Sequence, residues 1–116
     1  MEELLPTPGL SLSDVDTPAL LIDLPLFEAN LHKVADFYQN RPAKIRPHVK
    51  GHKSPDIARL QLAAGSTVGG LATAKLGEAE VMVDGGFKDV LIFNQITSVP
   101  KMRRLSGLAK RAKVTV

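Results

Sequence analysis

The sequence contains no cysteine and no tryptophan, and only 4% of its 116 residues are aromatic. Without cysteine the chain has neither a disulfide framework nor a thiolate metal site. So few aromatic side chains offer no stacking platform for bases. The formal net charge of +3 is also small compared with the clustered basic surfaces that are typical of nucleic-acid-binding proteins. We therefore predict no nucleic-acid partner.

Long apolar runs are also missing. No run approaches the roughly 18 residues that a membrane helix needs. The acidic start Met1-Glu2-Glu3 is soon followed by Pro6 and lacks the basic region and apolar core of a signal peptide. An apolar fraction of 44% with 23% charged residues is ordinary for a globular domain. We therefore predict a cytoplasmic protein without membrane contact.

Short apolar runs alternate with amphipathic stretches, which predicts βα units and a parallel sheet. The predicted strands are residues 18–23, 44–50, 68–73, 90–93 and 114–116. The four predicted helices begin near Leu24-Pro25 and Ser54-Pro55 or span residues 75–83 and 98–112. A complete (β/α)8 TIM-type barrel needs about 250 residues. We therefore expect an α/β fold in which residues 1–16 are a leader and residues 17–116 are the N-terminal part of a truncated barrel.

One segment, Arg46-Pro47-His48-Val49-Lys50-Gly51-His52-Lys53, concentrates polar side chains in a predicted strand. Alternate residues of a strand share a face, so Arg46, His48 and Lys50 are expected to point into the barrel. Such a buried basic row is costly unless an anionic ligand meets it. Lys50 ends the strand at the rim where barrel enzymes build their active sites. A solvated basic loop is the alternative, and Pro47 counts against a central strand because it has no N–H.

Three motifs together resemble the D-threonine aldolase and D-serine dehydratase family of pyridoxal-phosphate (PLP) enzymes. They are Thr17-Pro18-Ala19-Leu20-Leu21-Ile22-Asp23 with Asn30, the Arg46-to-Lys53 segment, and Ala74-Lys75-Leu76-Gly77-Glu78-Ala79-Glu80 with Gly85-Gly86. The resemblance covers residues 16–116. It implies the barrel shared with alanine racemase and a Schiff base between Lys50 and PLP. Gly51 departs from the Thr or Ala that is more common there.

The same resemblance implies what the chain lacks. In the family, the phosphate-binding loops come from later strands, and the metal-binding His and Asp or Cys come from a C-terminal β domain. Both regions would lie beyond Val116. We therefore expect a divalent metal, zinc or manganese, whose ligands are outside this chain, and a homodimer when the protein is full length.

Four residues besides Lys50 are candidates to bind the cofactor: Arg46, His48, Thr73 and Asn94. Thr73 and Asn94 follow from the rule that barrel sites form at the carboxyl ends of strands. Thr73 could instead be a helix N-cap, and Asn94 a turn residue. Lys53 and Lys75 are rival Schiff-base lysines.

The resemblance implies a PLP-dependent lyase that acts on a β-hydroxy D-amino acid substrate. An aldolase would release glycine and an aldehyde, whereas a dehydratase would release a keto acid and ammonia. The alternatives are an amino-acid racemase on the same barrel, a non-catalytic PLP-binding protein and an inactive fragment. The basic residues between Lys101 and Lys113 are interpreted as the solvated face of an outer helix.

Overall fold

A computed structural model describes residues 8–116. Residues 1–7 of the predicted leader therefore lie outside the described residues. The described part contains four α-helices and three β-strands. In chain order these are a 3-10 turn at Leu12–Asp14, α1 (Leu24–Gln39), α2 (Pro55–Ala63), β1 (Leu71–Thr73), α3 (Leu76–Asp84), β2 (Asp89–Ile92), α4 (Val99–Leu108) and β3 (Lys113–Thr115).

The three strands form a parallel sheet in the order β1-β2-β3. Leu71 is paired with Val90, and Val90 with Val114. Each connection between neighbouring strands contains one helix, α3 or α4, as parallel strands require a crossover. The predicted α/β class with a parallel sheet is therefore confirmed, as a three-stranded sheet.

The predicted strand at residues 44–50 is present only as an extended segment beside β1. It makes two isolated parallel bridges, Ile45 to Thr67 and His48 to Ala72. Pro47 accepts a hydrogen bond from the N–H of Ala72 at 2.7 Å but has no N–H to donate in return. A continuous ladder therefore does not form, although the segment runs in the direction that was predicted.

The predicted strand at residues 18–23 is wrong for the described structure, which has no strand there. The side chains of Leu20, Leu21 and Ile22 are 102%, 62% and 54% exposed. Apolar, β-prone residues form a strand only when a neighbour supplies hydrogen-bond partners and a surface to pack against. The described residues provide neither for this segment.

The helix boundaries follow the local signals in the sequence. Asp23 accepts the N–H of Leu26 at 3.0 Å and caps α1. Ser54 accepts the N–H of Ile57 at 3.4 Å and caps α2, with Pro55 in the first turn. The α3 helix ends at Asp84 with Gly85 as its C-cap, and Gly86 follows with φ +96°, a backbone conformation that favours glycine.

The hydrophobic core lies between the sheet and α3, with contributions from α2, α4 and the extended segment. Its buried members are Val49, Ala58, Leu71, Leu76, Ala79, Met82, Val83, Val90, Ile92 and Leu108. By contrast, α1 buries Ala35 alone. The core therefore fixes the carboxyl ends of β1 and β2 firmly, while α1 is loosely held. No helix in residues 8–116 is long and apolar enough to cross a membrane.

Candidate active site

Lys50 lies in a tight turn at the carboxyl end of the extended segment. Pro47 and Val49 are buried, whereas Lys50 is exposed, so the alternation expected of a strand is present. The N–H of Val49 donates to the carbonyl of Ala72 at 2.9 Å, and the N–H of Lys53 donates to the carbonyl of Val49 at 2.8 Å. The chain therefore reverses directly after the segment reaches the end of β1, and Lys50 projects from that reversal.

His48 is held beside Lys50 by a side-chain-to-backbone hydrogen bond. Its Nδ1 accepts the N–H of Lys50 at 3.2 Å, and its ring centre is 6.2 Å from that of Phe93. Burial lowers the pKa of His48 from its ordinary 6.5, and the Lys50 charge lowers it further, against an opposing effect of Glu78. At neutral pH the uncharged form of the imidazole therefore predominates. Because Nδ1 is an acceptor, Nε2 carries the proton and is a donor.

Arg46 is placed differently from the expectation. Its Nη1 donates to Oδ1 of Asp89 at 2.7 Å and to the carbonyl of Leu71 at 3.3 Å, while Lys113 Nζ reaches Oδ2 of Asp89 at 3.2 Å. The hydrogen bond from Arg46 is the main reason that the pKa of Asp89 is lowered from 3.8. Asp89 and Lys113 begin β2 and β3, so this ion cluster lies at the amino edge of the sheet.

Gly70 makes this arrangement possible. A Cβ atom at Gly70 would overlap Nη1 of Arg46 and the carboxylate of Asp89. The guanidinium therefore occupies space that only a glycine leaves free. We assign Arg46 to the ion cluster at the amino edge, and its predicted contact with a cofactor finds no support in this arrangement.

Thr73 and Asn94 lie at the carboxyl edge, as the barrel rule predicts. Thr73 is fully buried at the end of β1, and its hydroxyl donates to the carbonyl of Leu91 at 3.4 Å. It is not a helix N-cap, because Lys75 occupies that position in α3. Asn94 donates from Nδ2 to the carbonyl of Ala74 at 2.8 Å. This bond ties together the loops that follow β1 and β2.

Glu78 is a residue of this edge that the sequence interpretation missed. Its Oε2 accepts the N–H of Ala74 at 2.7 Å and that of Lys75 at 3.2 Å, so it fixes the turn between β1 and α3. The signal was available in the sequence, since a Glu three residues after an N-cap is the second half of a capping box. Its charge also acts on His48.

A cleft of about 500 Å³ opens over the carboxyl ends of β1 and β2. The loops after both strands line it, through Ala74 and Asn94, and so does Lys53 from the turn that carries Lys50. Lys53 has φ +57° in the left-handed region. The rival lysines Lys53 and Lys75 both line this cleft.

His52 has a local role at the start of α2. Its Nδ1 accepts the N–H of Ser54 at 3.0 Å, and its Nε2 is 3.1 Å from Oε1 of Gln61. These two contacts engage both ring nitrogens in holding the turn against α2.

Within residues 8–116 no three His, Asp or Glu side chains are grouped as a metal site. The carboxyl edge instead offers an exposed primary amine at Lys50, a neutral imidazole donor at His48 and a basic cleft beside them. Such a donor set suits an organic ligand that carries a carbonyl group and negative charge.

Comparisons with known proteins identify aldolases and a dehydratase that are similar to this chain. The chain is 40% identical over 110 residues to 3-hydroxy-D-aspartate aldolase of Paracoccus denitrificans, and the alignment covers 94% of this chain and 28% of that protein. The crystal structure of D-threonine aldolase from Filomicrobium marinum matches with a TM-score of 0.82 and 48% identity, over 89% of this chain and 27% of that one.

A dehydratase is also similar. D-threo-3-hydroxyaspartate dehydratase from Delftia sp. HT23 matches with a TM-score of 0.75 and 31% identity, over 84% of this chain and 25% of that one. No family model matches the chain. The chain thus spans little more than a quarter of the length of these relatives. Over that length the predicted resemblance to the D-threonine aldolase family is confirmed.

Proposed function

We propose that this chain, which matches the D-threonine aldolase family over part of its length, forms the PLP-bearing portion of a lyase that cleaves a β-hydroxy D-amino acid. The observation that carries the proposal is the exposed amine of Lys50 at the carboxyl edge of the sheet, beside a neutral His48. The substrates named for the relatives, D-threonine and 3-hydroxyaspartate, are β-hydroxy D-amino acids, which supports the same substrate class here.

The residues at this edge fit PLP. Among the described residues the amine of Lys50 forms no hydrogen bond and no ion pair, so it is free for covalent attachment to the cofactor. When bound, PLP would supply an electron sink for the bond that breaks at the substrate Cα. His48 would present its Nε2–H as a hydrogen-bond donor without adding a charge. Thr73 and Asn94 would shape the floor of the site through their contacts with the strand-end loops.

Aldol cleavage is the reaction that we favour. It breaks the Cα–Cβ bond and yields glycine and an aldehyde, and the two aldolases are 40% and 48% identical to this chain. Dehydration is the second candidate, favoured by the 31% identical dehydratase. In that reaction the amine of Lys50 would accept the proton from the substrate Cα, the β-hydroxyl would leave as water, and hydrolysis of the resulting free imine would give a keto acid and ammonia.

We further propose that residues 17–116 belong to a larger (β/α)8 barrel. The exposed apolar residues at 20–22 and the loose packing of α1 support a missing neighbour for this side of the sheet. In the barrel, residues 18–23 would become the first strand. A variant of D-threo-3-hydroxyaspartate dehydratase is known in a metal-free form, which supports a divalent metal in such enzymes. We expect zinc or manganese, held by ligands outside this chain, in a homodimer.

The test begins with the complete PLP-loaded protein. Borohydride reduction, digestion and mass spectrometry should locate the pyridoxyl group on Lys50. Lys50→Ala should abolish the label and lower cleavage of D-threonine and 3-hydroxy-D-aspartate by at least about 10³-fold, because covalent orientation of the cofactor is lost. Lys88→Ala, which removes an exposed lysine near the amino edge, should change neither. A label on Lys53 or Lys75 in place of Lys50 would overturn the assignment.

A further inference from the structure

Phe93 combines a fixed backbone with an exposed ring. Its N–H donates to the carbonyl of Thr73 at 2.8 Å, so the pairing of β1 with β2 continues one residue beyond the end of β2. Asn94, the next residue, donates from its side chain to the carbonyl of Ala74 at 2.8 Å. Phe93 is nevertheless 71% exposed. The end of β2 therefore presents a large apolar ring at a fixed place on the carboxyl edge of the sheet.

The Phe93 ring lies on the face of the sheet that is turned away from α3. Val90 and Ile92 belong to the hydrophobic core on the α3 side of the sheet. Since side chains alternate along a strand, Leu91 and Phe93 point to the opposite face. Phe93 is therefore not one of the side chains that hold the sheet on α3, and its contacts are with the other side chains of this second face.

Ala72 allows the Phe93 ring to reach His48 across β1. Ala72 is bridged to His48 on one side and paired with Leu91 on the other, so β1 lies between the segments that carry the two rings. The small side chain of Ala72 leaves space above β1, and the two ring centres are 6.2 Å apart with an angle of 57° between the ring planes. This distance is within the range in which aromatic rings attract one another. A bulky residue at position 72 would separate the two rings.

The His48 imidazole transmits this contact to the turn that carries Lys50. Its Nδ1 accepts the N–H of Lys50 at 3.2 Å, and this bond requires an unprotonated Nδ1. Burial is the largest cause of the lowered His48 pKa, and the charged groups that act on it are Lys50 from the turn and Glu78 from α3. The Phe93 ring contributes to that burial from the side of β2. It also limits the rotation of the imidazole, so that Nδ1 stays directed at the Lys50 N–H.

We infer that Phe93 is a positioning residue of the Lys50 site, whose ring holds the His48 imidazole in the orientation in which Nδ1 accepts the Lys50 N–H. The effect on turnover rests on the proposed lyase function. Without the ring, His48 gains water and rotational freedom, and the turn that carries the Lys50 amine loses a hydrogen bond. Phe93 lies outside the three motifs that carry the family resemblance, so the resemblance does not assign this role.

The first measurement is NMR of the complete PLP-loaded protein, labelled with ¹⁵N in histidine and lysine. The wild-type His48 ring should carry its proton on Nε2 and titrate with a midpoint below 6.5. Phe93→Ala should move the midpoint towards 6.5, populate both neutral tautomers and shift the Lys50 amide signal. Phe93→Tyr keeps the ring and should restore the wild-type values. Phe37→Ala removes a ring on α1 that is 57% exposed and should change none of them.

Turnover provides the second measurement. Phe93→Ala should lower kcat for D-threonine about three- to tenfold, the range that a contact between aromatic rings contributes, with KM near its wild-type value. In a His48→Ala background the same substitution should have little further effect, because Phe93 acts through His48. An equal further loss there, or unchanged His48 and Lys50 signals in Phe93→Ala, would show that the inference is wrong, whatever happens to kcat. If the wild type cleaves no β-hydroxy D-amino acid, the lyase proposal fails, and the His48 and Lys50 signals still decide the inference.

Discussion

Replacing Arg46 by alanine separates the two roles that sequence and structure give to this residue. In the structure, Arg46→Ala removes the hydrogen bonds to Asp89 and to the Leu71 carbonyl. Both partners of the ion pair are about three-quarters buried, with 26% and 25% of their side chains exposed. Exposed ion pairs contribute about 0 to 1 kcal/mol, whereas breaking a fully buried pair costs about 3 to 5 kcal/mol. We therefore expect a loss of about 2 kcal/mol in local stability.

Amide hydrogen exchange followed by mass spectrometry measures this loss where it occurs. Peptides that cover residues 67–73 and 88–93 of the apoprotein should exchange about 30-fold faster in Arg46→Ala, since 1.4 kcal/mol corresponds to a factor of ten. Arg111→Ala is the matched control, because its ion pair with Asp84 is 53% and 62% exposed. It should change exchange by no more than a few-fold.

The pH dependence of stability tests the Arg46–Asp89 ion pair independently. The folded protein holds the pKa of Asp89 below its ordinary 3.8, so the pair stabilises the fold above that pH. The contribution should be lost as the pH falls below 3.8, and Arg46→Ala should reduce this acid sensitivity to the part that Lys113 supplies. If Arg46→Ala instead leaves exchange like that of Arg111→Ala but weakens PLP binding tenfold, the cofactor contact expected from the sequence is right and the ion cluster is incidental.

Three further predictions concern His48, Gly70 and the exposed apolar segment. The pKa of His48 is lowered below 6.5 in the folded protein, so the unfolded chain binds a proton at a higher pH than the folded one. The folded protein should therefore lose stability as the pH falls from 6.5 towards the folded pKa. An NMR titration of the His48 ring protons should give a midpoint below 6.5, and a midpoint at or above 6.5 would contradict the burial that causes the shift. Gly70→Ala should displace the Arg46 guanidinium and lower the unfolding temperature by several degrees, which thermal denaturation beside Gly107→Ala, where a Cβ meets open space, would detect. Residues 1–116 expressed alone should self-associate through exposed side chains such as Leu20 and Ile22, and sedimentation should show less association after both are changed to serine; a monomeric wild-type chain would refute this.

Local signals in the sequence were sufficient for the order of the βα units and for the helices, except for the end of α4, which stops at Leu108 and not at residue 112 as predicted. Ser54-Pro55 and Gly85-Gly86 mark helix ends because capping and left-handed backbone depend on a few adjacent residues. The apolar run at 90–93 gave β2 within one residue at each end. The alternation at 46–50 correctly separated buried Val49 from exposed Lys50. These features are local, so no knowledge of distant contacts was needed.

The tertiary structure decided where these side chains meet. Arg46 and His48 share a face in the sequence pattern, yet Arg46 reaches the amino edge because Asp89, 43 residues away, lies there and Gly70 leaves room. Residues 18–23 have the composition of a strand but remain unpaired, since a ladder needs a neighbour that the described residues do not supply. Likewise Lys53 and Lys101 line one cleft although they are 48 residues apart in the sequence, because parallel strands bring their carboxyl ends to the same edge of the sheet. Periodicity specifies which way a side chain points, whereas long-range pairing specifies what it points at.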